Sequence, residues 1–468
     1  MRNIWKKFAC AIFLLSITLF AAGTSSIKAQ SDTTKINKIP IAMATDNNYV
    51  YPTIVAITSM LENKKESTYL DFHIMISGQV SKENRSRLTK LKNLYKGCSI
   101  KLIDMKNNFN DTYISSSYIT KATYYRLLLP SILKKYDKIL YLDGDIIVKR
   151  DLWNMYNTDL QDNYIGAVKD YGQIAWKLNI APDYAKRLGT KDMNQLINAG
   201  ILIMNLEKMR KDNMEKVFND YIPTLESRRL YLNDQDVLNA TCYDKIKFLS
   251  PEYNAMQHFN FYYDAMEILI DCYNMKEWKK ACTSPTIIHY TGRDKPWQGF
   301  KGRFYNEWDK YRKIVEKKIY GTPIIANGIY TISSSLDKNK VLDIANGSND
   351  DSANLQLWAK NNKIAQKFKF TYMGEGYYEI EACCSGKVLD VAASGNKPGT
   401  NVLQYGRKAY NNDNQKWIIK YAGEGYYYII SKCNGLYLDV SGAKTKNGTN
   451  IQVWDSNGTN AQKFKISK

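Results

Sequence analysis

Apolar positions in the first two thirds of the chain follow two periods. Residues 39–44 form a short continuous apolar run, and 70–77 carries Phe72, Ile74 and Ile76 at every second position. Side chains two apart share a face of an extended chain, so both segments predict strands. A third strand is predicted over 99–103. Residues 51–61 place Ile54, Ile57, Thr58 and Leu61 at helical spacing, and 81–95 places Leu88, Leu91 and Leu94 likewise. Both predict helices, with Ser81 as N-cap of the second. Strand and helix alternate from 39 to 105, which predicts an open parallel α/β sheet. Such sheets bind ligands beyond the carboxyl ends of their strands.

Another apolar run, 138–142, ends at Asp143-Gly144-Asp145, and Ile146-Ile147-Val148 follows. In extended chain Asp143 and Asp145 point the same way, and Gly144 lets another group approach the backbone. Paired carboxylates are hard oxygen ligands for Mg²⁺ or Mn²⁺. The same triplet is also ordinary turn chemistry. Asp46 lies in the polar loop after the first strand, where it can share a cleft with this pair. Residues 123–127 read as helical and ended by Pro130. Arg126 there is either a phosphate or carboxylate clamp or a helix-surface arginine. Asn198-Ala199-Gly200 opens an apolar strand over 201–204. Asn233-Asp234-Gln235-Asp236 precedes a short helix and reads by itself as an N-cap with an acidic first turn. His289, one of three histidines, sits at a strand end before Gly292 and Lys295. Residues 303–319 predict a closing amphipathic helix.

Composition adds bounds. The 468 residues, 44% hydrophobic and 24% charged, predict two or three globular domains. The net charge of +20 is spread along the chain. No basic block marks a nucleic-acid arm, so no nucleic acid and no partner protein is predicted. Arg2, Lys6 and Lys7 precede an apolar run over 8–23 and then small, polar residues. This is the layout of a signal peptide over 1–29, cleaved after Ala29, with 30–37 a polar linker. The expected location is secreted or cell-surface, membrane-anchored if the signal stays uncleaved. Eight cysteines are present, and Cys10 lies in the signal. The other seven are irregularly spaced, which argues against a disulfide framework, although Cys272 and Cys282 are close enough in sequence for a local bridge.

Taken in order, six blocks resemble glycosyltransferase family 8, the family of lipopolysaccharide galactosyl- and glucosyltransferases and glycogenin. They are Ala44-Thr45-Asp46-Asn47-Asn48-Tyr49, Thr123-Tyr124-Tyr125-Arg126-Leu127, Lys138 to Asp145, Asn198-Ala199-Gly200, Asn233-Asp234-Gln235-Asp236, and His289-Tyr290-Thr291-Gly292 through Lys295-Pro296-Trp297. The resemblance covers 38–320. It implies an α/β Rossmann-like nucleotide-sugar transferase domain of the GT-A type, retaining, using Mn²⁺ (or Mg²⁺) and a UDP-sugar. Carried over by resemblance, Asp143, Asp145 and His289 hold the metal. Gly292 and Lys295 lie at the diphosphate, Asp46 and Asn48 at the uracil and ribose, and Gly144 is a further donor-binding residue. Arg126, Asn198, Asp234 and Gln235 face the donor sugar, with Asp234 and Gln235 as the catalytic pair. Gln235 falls nearest the anomeric carbon, and an amide is a poor nucleophile, which favours front-face attack. The loop Ser117-Tyr118-Ile119-Thr120 lacks a histidine that related enzymes often carry.

The C-terminal third differs in character. After a linker at 321–327, three units repeat Leu342-Asp343, Leu389-Asp390 and Leu438-Asp439. Gln356-Leu357-Trp358, Gln404-Tyr405-Gly406 and Gln452-Val453-Trp454 recur at equal spacing, and Gln366, Gln415 and Gln462 close the units. Short alternating strands with Gly/Asn turns predict an all-β fold. Residues 328–468 resemble a ricin-type β-trefoil lectin. The resemblance implies one sugar pocket of Asp343, Trp358 and Gln366 and another of Asp439, Trp454 and Gln462. The middle unit is read with Gly406 in the Trp position and its pocket in doubt.

Together these readings predict an exported hexosyltransferase that moves a hexose, glucose or galactose, from a UDP-sugar to a glycan, glycolipid or glycoprotein. The competing readings are a non-catalytic lectin and a secreted transferase that modifies a host target.

Overall fold

The computed structural model describes residues 36–106, 108–109, 112–115, 120–174, 183–257, 274–321, 323–409 and 411–468. The signal peptide over 1–29, most of the 30–37 linker, the loop through Ser117-Tyr118-Ile119 and Cys272 lie outside the described residues. The six described cysteines carry free thiols.

The first domain is built on a seven-stranded sheet, in the order β3-β2-β1-β4-β7-β6-β8. Its strands are β1 (Asn37–Thr45), β2 (Thr68–Ile76), β3 (Cys98–Asp104), β4 (Lys138–Leu142), β6 (Ile165–Lys169), β7 (Ile197–Asn205) and β8 (Ile246–Phe248). β3, β2, β1 and β4 run parallel. β7 runs antiparallel to both β4 and β6, so the sheet is mixed where a parallel one was predicted. A second, three-stranded sheet joins β5 (Ile146–Val148), β10 (Ile287–His289) and β9 (Ala255–Met256).

Helices Val50–Asn63 and Lys82–Leu94 follow β1 and β2, and the Ser81 hydroxyl accepts from Asn84 N–H at 3.2 Å. Val50–Asn63 packs against β5 with Ile54, Val55 and Ile57 fully buried. Arg126 lies in a 3₁₀ helix, Lys121–Leu128. Pro130 does not end that helix. It stands in the first turn of the next, Leu129–Ile132, where its missing N–H costs no hydrogen bond. The closing helix Tyr305–Val315 continues into a π-helical turn, Glu316–Tyr320.

The C-terminal domain holds twelve strands, β11 (Gly328–Ser334) to β22 (Phe464–Ser467), in three units of four, a β-trefoil. Its core is apolar and aromatic, with Phe368, Phe370, Trp417 and Phe464 buried.

Strand order decides what meets at the upper edge of the first sheet. β1 and β4 are neighbours, so the residues after their carboxyl ends, Asp46 and Asp143, lie side by side. β7 enters from that edge, which brings Asn198, Ala199 and Gly200 opposite Asp143, and Asp143 N–H donates to Gly200 C=O at 2.8 Å. β6 leaves there, ending at Asp170.

Candidate active site

These segments enclose a cavity of about 320 Å³ lined by Asp46, Tyr49, Arg126, Asp143, Gly144, Asp145, Asp170, Asn198, Asp234, Gln235, His289, Gly292 and Lys295, among others. Eleven of the twelve sequence-predicted donor, catalytic and metal residues are thus brought together. Asn48 is exposed and outside the lining. Asp46 helps shape the loop, since its Oδ1 accepts the Asn48 and Tyr49 N–H groups at 2.8 and 3.0 Å.

His289 arrives through strand register. β10 pairs antiparallel with β5, with His289 opposite Ile146, and Tyr290 N–H donates to Asp145 C=O at 2.9 Å. The His289 Nε2 therefore stands 3.2 Å from Asp145 Oδ1 and 3.9 Å from Asp143 Oδ2. One ligand atom from each of the three residues lies within 4.8 Å of the others.

A hydrogen-bond chain sets the imidazole tautomer. Gly200 N–H donates to Asn198 Oδ1 at 3.0 Å, so that atom is an acceptor. Asn254 Nδ2 donates to the same oxygen at 2.9 Å, which leaves Asn254 Oδ1 facing His289 Nδ1 at 2.9 Å. Nδ1 then carries a proton, and in the neutral ring the Nε2 lone pair faces two carboxylate oxygens. Three electron-rich atoms pointed at one another repel unless a cation lies between them. Two carboxylates and an imidazole are a donor set that suits Mn²⁺ or Mg²⁺ better than a soft metal. The residues fit the metal that the resemblance implies.

The outer oxygens are already held. Arg126 Nη2 donates to Asp143 Oδ1 at 2.9 Å, and the Tyr141 hydroxyl donates to the same atom at 3.0 Å. Lys295 Nζ donates to Asp145 Oδ2 at 2.5 Å and to Tyr290 C=O at 2.6 Å. Burial raises the Asp143 pKa above the ordinary carboxylate value despite Arg126. Burial pulls Asp145 the same way, but the Lys295 ammonium outweighs it and holds that carboxyl low. Burial opposes the Lys295 charge, and Asp145 overcomes it and raises that ammonium pKa.

Arg126 is a carboxylate clamp and not a surface arginine. Its Nε lies 2.9 Å from Asp234 Oδ2, Nη1 donates to Ala199 C=O, and the guanidinium stacks 4.2 Å above the Tyr141 ring centroid. Burial lifts the Asp234 carboxyl to about 6. Asn233 does not cap this helix. It holds φ +52° and bonds to Ser115 instead, a sparsely populated backbone of the kind found at functional sites.

Gln235 is fixed at both ends. Its Oε1 accepts Ala199 N–H at 3.1 Å, and its Nε2 donates to Asp170 Oδ2 at 3.0 Å. Asn198 Nδ2 donates to the same Asp170 oxygen at 3.1 Å. Sequence reasoning missed Asp170 and Asn254. Asp170 carries a readable signal, an acid directly after an apolar strand, as Asp143 is. Asn254 has none.

Two glycines are required sterically. A Cβ on Gly144 would lie 2.4 Å from Thr53 Oγ1, so the close neighbour of that backbone is a helix side chain. A Cβ on Gly200 would lie 2.3 Å from His289 Cε1 and 2.6 Å from Asp143 Oδ2.

In the trefoil, Asp343 pairs in register with Gln356 and Asp439 with Gln452. Asp390 pairs with Leu403, one residue before the expected Gln404. Equal Gln spacing is therefore a coincidence, and Tyr405, not Gly406, matches the tryptophans. Trp358, Tyr405 and Trp454 are 37, 39 and 40% exposed, so all three units present an aromatic ring. Gln366 and Gln462 are fully buried. Gln366 donates to Asp343 Oδ2 and Ala359 C=O, each at 3.0 Å, and Gln462 donates to Asp455 C=O at 2.8 Å. Both amides are thus spent on hydrogen bonds within their own units.

Comparison with known proteins agrees with this geometry. The family model described as "Glycosyl transferase family 8" matches residues 40–300, and "Ricin-type beta-trefoil lectin domain-like" matches 322–405 and 413–468. General stress protein A of Bacillus subtilis is 28% identical over 61% of this chain and 96% of its own length. A lipopolysaccharide 1,2-glucosyltransferase of Escherichia coli is 28% identical over 58% of this chain and 77% of its own. The solved galactosyltransferase LgtC, in complex with donor and acceptor sugar analogs, shares the fold at a TM-score of 0.50. It is 24% identical and covers 61% of this chain and 98% of its own. The cluster of Asp143, Asp145 and His289 at the edge of a GT-A sheet and the family match over more than half the chain lead to one conclusion: this protein belongs to glycosyltransferase family 8 and carries a C-terminal ricin-type β-trefoil lectin domain.

Proposed function

We propose that the protein is a retaining hexosyltransferase that uses a UDP-sugar and Mn²⁺, with the trefoil holding glycan near the cleft. The observation that carries this reading is the convergence of Asp143, Asp145 and the Nε2 of His289 beside Lys295. The cavity lining has five carboxylates, Asp46, Asp143, Asp145, Asp170 and Asp234, against two cations, Arg126 and Lys295. A diphosphate enters such a lining only with a divalent cation. That cation, when bound, supplies Lewis-acid neutralisation of the leaving diphosphate.

The chain's own residues do the rest. Lys295 exchanges part of its bond to Asp145 for a phosphate oxygen. Asp46 and Tyr49 form the wall that receives the nucleoside. Gln235, held by Ala199 and Asp170, faces the sugar as a fixed dipole. Its carbonyl oxygen already accepts a hydrogen bond, and an amide is a poor nucleophile, so this arrangement supports front-face attack. The bond from the anomeric carbon to the diphosphate breaks. The acceptor oxygen bonds to that carbon from the same side, and its proton passes to the departing diphosphate. Asp170 and Asp234 position Gln235 and Arg126. The relatives that are lipopolysaccharide glucosyl- and galactosyltransferases make glucose and galactose the first donors to test.

Export is part of the proposal, and its support is the Arg2–Lys7 and 8–23 pattern. N-terminal sequencing of protein recovered outside the cytosol is expected to begin at Gln30. For activity, the full chain is incubated with Mn²⁺ and UDP-glucose, UDP-galactose or their N-acetyl forms, and UDP release is followed. Activity on one donor is expected, removed by chelation and by Asp145→Ala. Full activity in Asp145→Ala would refute the metal assignment.

A further inference from the structure

One hairpin motif occurs twice in the trefoil, as Tyr372-Met373-Gly374-Glu375-Gly376-Tyr377 and as Tyr421-Ala422-Gly423-Glu424-Gly425-Tyr426. The copies fold alike. Each shifts register before its first glycine, and Gly374 and Gly423 hold φ +93° and +92°. Their surroundings differ. A Cβ on Gly423 would meet open space, and Tyr421 is 57% exposed.

The first copy is docked on the catalytic domain. Glu316, in the π-helical turn after the closing helix, is 6% exposed. Its Oε2 accepts from the Tyr372 hydroxyl at 2.5 Å, and its Oε1 accepts Glu375 N–H at 3.1 Å. The Tyr51 hydroxyl, on helix Val50–Asn63, also donates to Oε1. A Cβ on Gly374 would lie 2.9 Å from Glu316 Oε1 and 3.0 Å from the Tyr51 hydroxyl. Burying a carboxylate is unfavourable unless its oxygens are bonded, and here donors from both domains bond them.

Tyr51 belongs to the helix that starts directly after the cavity wall. Tyr49 precedes that helix and lines the cavity, and Thr53 donates to Tyr49 C=O at 2.7 Å while packing on Gly144. Aromatic contacts extend the path. Ring centroids are 6.2 Å apart for Tyr51–Trp308, 5.1 Å for Trp308–Trp297 and 5.7 Å for Trp297–Tyr49. Trp297 ends the loop that carries Lys295.

We propose that Glu316 is a positioning residue for the donor site: it clasps the first trefoil hairpin to Tyr51, and that docking holds the Tyr49 wall and the Lys295–Trp297 loop in the geometry that receives a nucleoside diphosphate. This inference rests on the donor-site reading above. It makes the lectin domain a structural part of the transferase site and not only a tether, with coupling carried by contiguous packing and hydrogen bonds.

The test uses the full chain with Mn²⁺ and UDP in calorimetry, and KM and kcat for UDP-sugar hydrolysis. Tyr372→Phe and Glu316→Gln are compared with Tyr421→Phe, which removes the matching hydroxyl from the free hairpin. The UDP Kd and the donor KM are expected to rise about three- to tenfold in the first two variants, with kcat changed less and Tyr421→Phe like wild type. Unchanged UDP affinity in Tyr372→Phe overturns the inference, even if its melting temperature falls. If Glu316→Gln does not fold, Tyr372→Phe alone decides, because it loses a single hydroxyl. Wild-type protein that binds no UDP overturns the donor-site reading and this inference with it. A UDP-binding wild type with unaffected variants overturns the inference alone.

Discussion

His289 Nε2 lies 3.2 Å from Asp145 Oδ1 because β10 is paired with β5 in one register only, His289 opposite Ile146. A slip of one residue would turn the imidazole to the other face of that small sheet. The proposed metal site is therefore a consequence of strand pairing, and Asn254 faces the imidazole Nδ1 at 2.9 Å.

Removing that contact is the first prediction. Asn254→Ala leaves all three ligands in place but frees the His289 tautomer. The Mn²⁺ affinity is expected to fall about 10- to 100-fold, as for other groups that orient metal-binding histidines. Titration calorimetry with Mn²⁺ checks it, and wild-type affinity in the variant would show that the tautomer does not matter.

Gly200→Ala tests the crowding around the same ring. The added methyl would meet His289 Cε1 and Asp143 Oδ2 at distances no packed core allows. An overpacking cost of about 1–3 kcal/mol is expected. The ligands have to separate to relieve it, so Mn²⁺ binding should be lost while thermal melting still shows a cooperative fold. Undiminished Mn²⁺ binding would mean that the backbone has room to move.

Asp234 predicts a pH dependence. Its carboxyl rises from 3.8 to about 6 on folding, because burial disfavours the charged form. The folded chain then holds a proton that the unfolded chain has lost, so this group's contribution to stability falls as pH rises from about 4 to about 6. The loss is on the order of 3 kcal/mol in metal-free protein. Asp234→Asn cannot ionise and should lack that decline. Denaturant unfolding of both proteins across this range measures the difference. Parallel curves would place the Asp234 carboxyl near its ordinary value.

The trefoil register makes a fourth prediction. Tyr405 presents its ring as Trp358 and Trp454 do, and Asp390 is held by Asn414 Nδ2 at 2.7 Å and Gln415 Nε2 at 2.9 Å. Losing one stacking ring is expected to weaken its own pocket about tenfold. Tyr405→Ala should therefore leave one of three glycan-binding sites about tenfold weaker, so that at a glycan concentration near the wild-type Kd close to two thirds as much glycan is bound. Unchanged glycan binding would return the middle unit to a purely structural role.

Much of this was legible along the chain, for a definite reason. Period-2 and helical spacings reflect which face of a local element is buried, and this is a local property. Strands 37–45, 68–76 and 98–104 and the helices between them follow from it. Ordered blocks carried Asp143, Asp145, His289, Asp234, Gln235 and Lys295 to one cleft. The threefold repeat carried the trefoil, because each unit buries its apolar strands against the other two.

Other features needed the third dimension. Strand direction is set by pairing partners, so a mixed sheet and a parallel one look alike in the apolar pattern of β6 and β7. The Gln404 spacing was misleading because register depends on which residue faces Asp390. Asn254 is invisible in sequence, since its role exists only through His289 on one side and Asn198 on the other. Gly374 and Gly423 stand in the same motif and hold the same positive φ. The contact of Gly374 with Glu316 and Tyr51 arises only once two domains meet. Local chemistry is written in the order of residues. Which lone pair faces which carboxylate, and which hairpin faces the catalytic domain, is decided by packing between segments far apart in the chain.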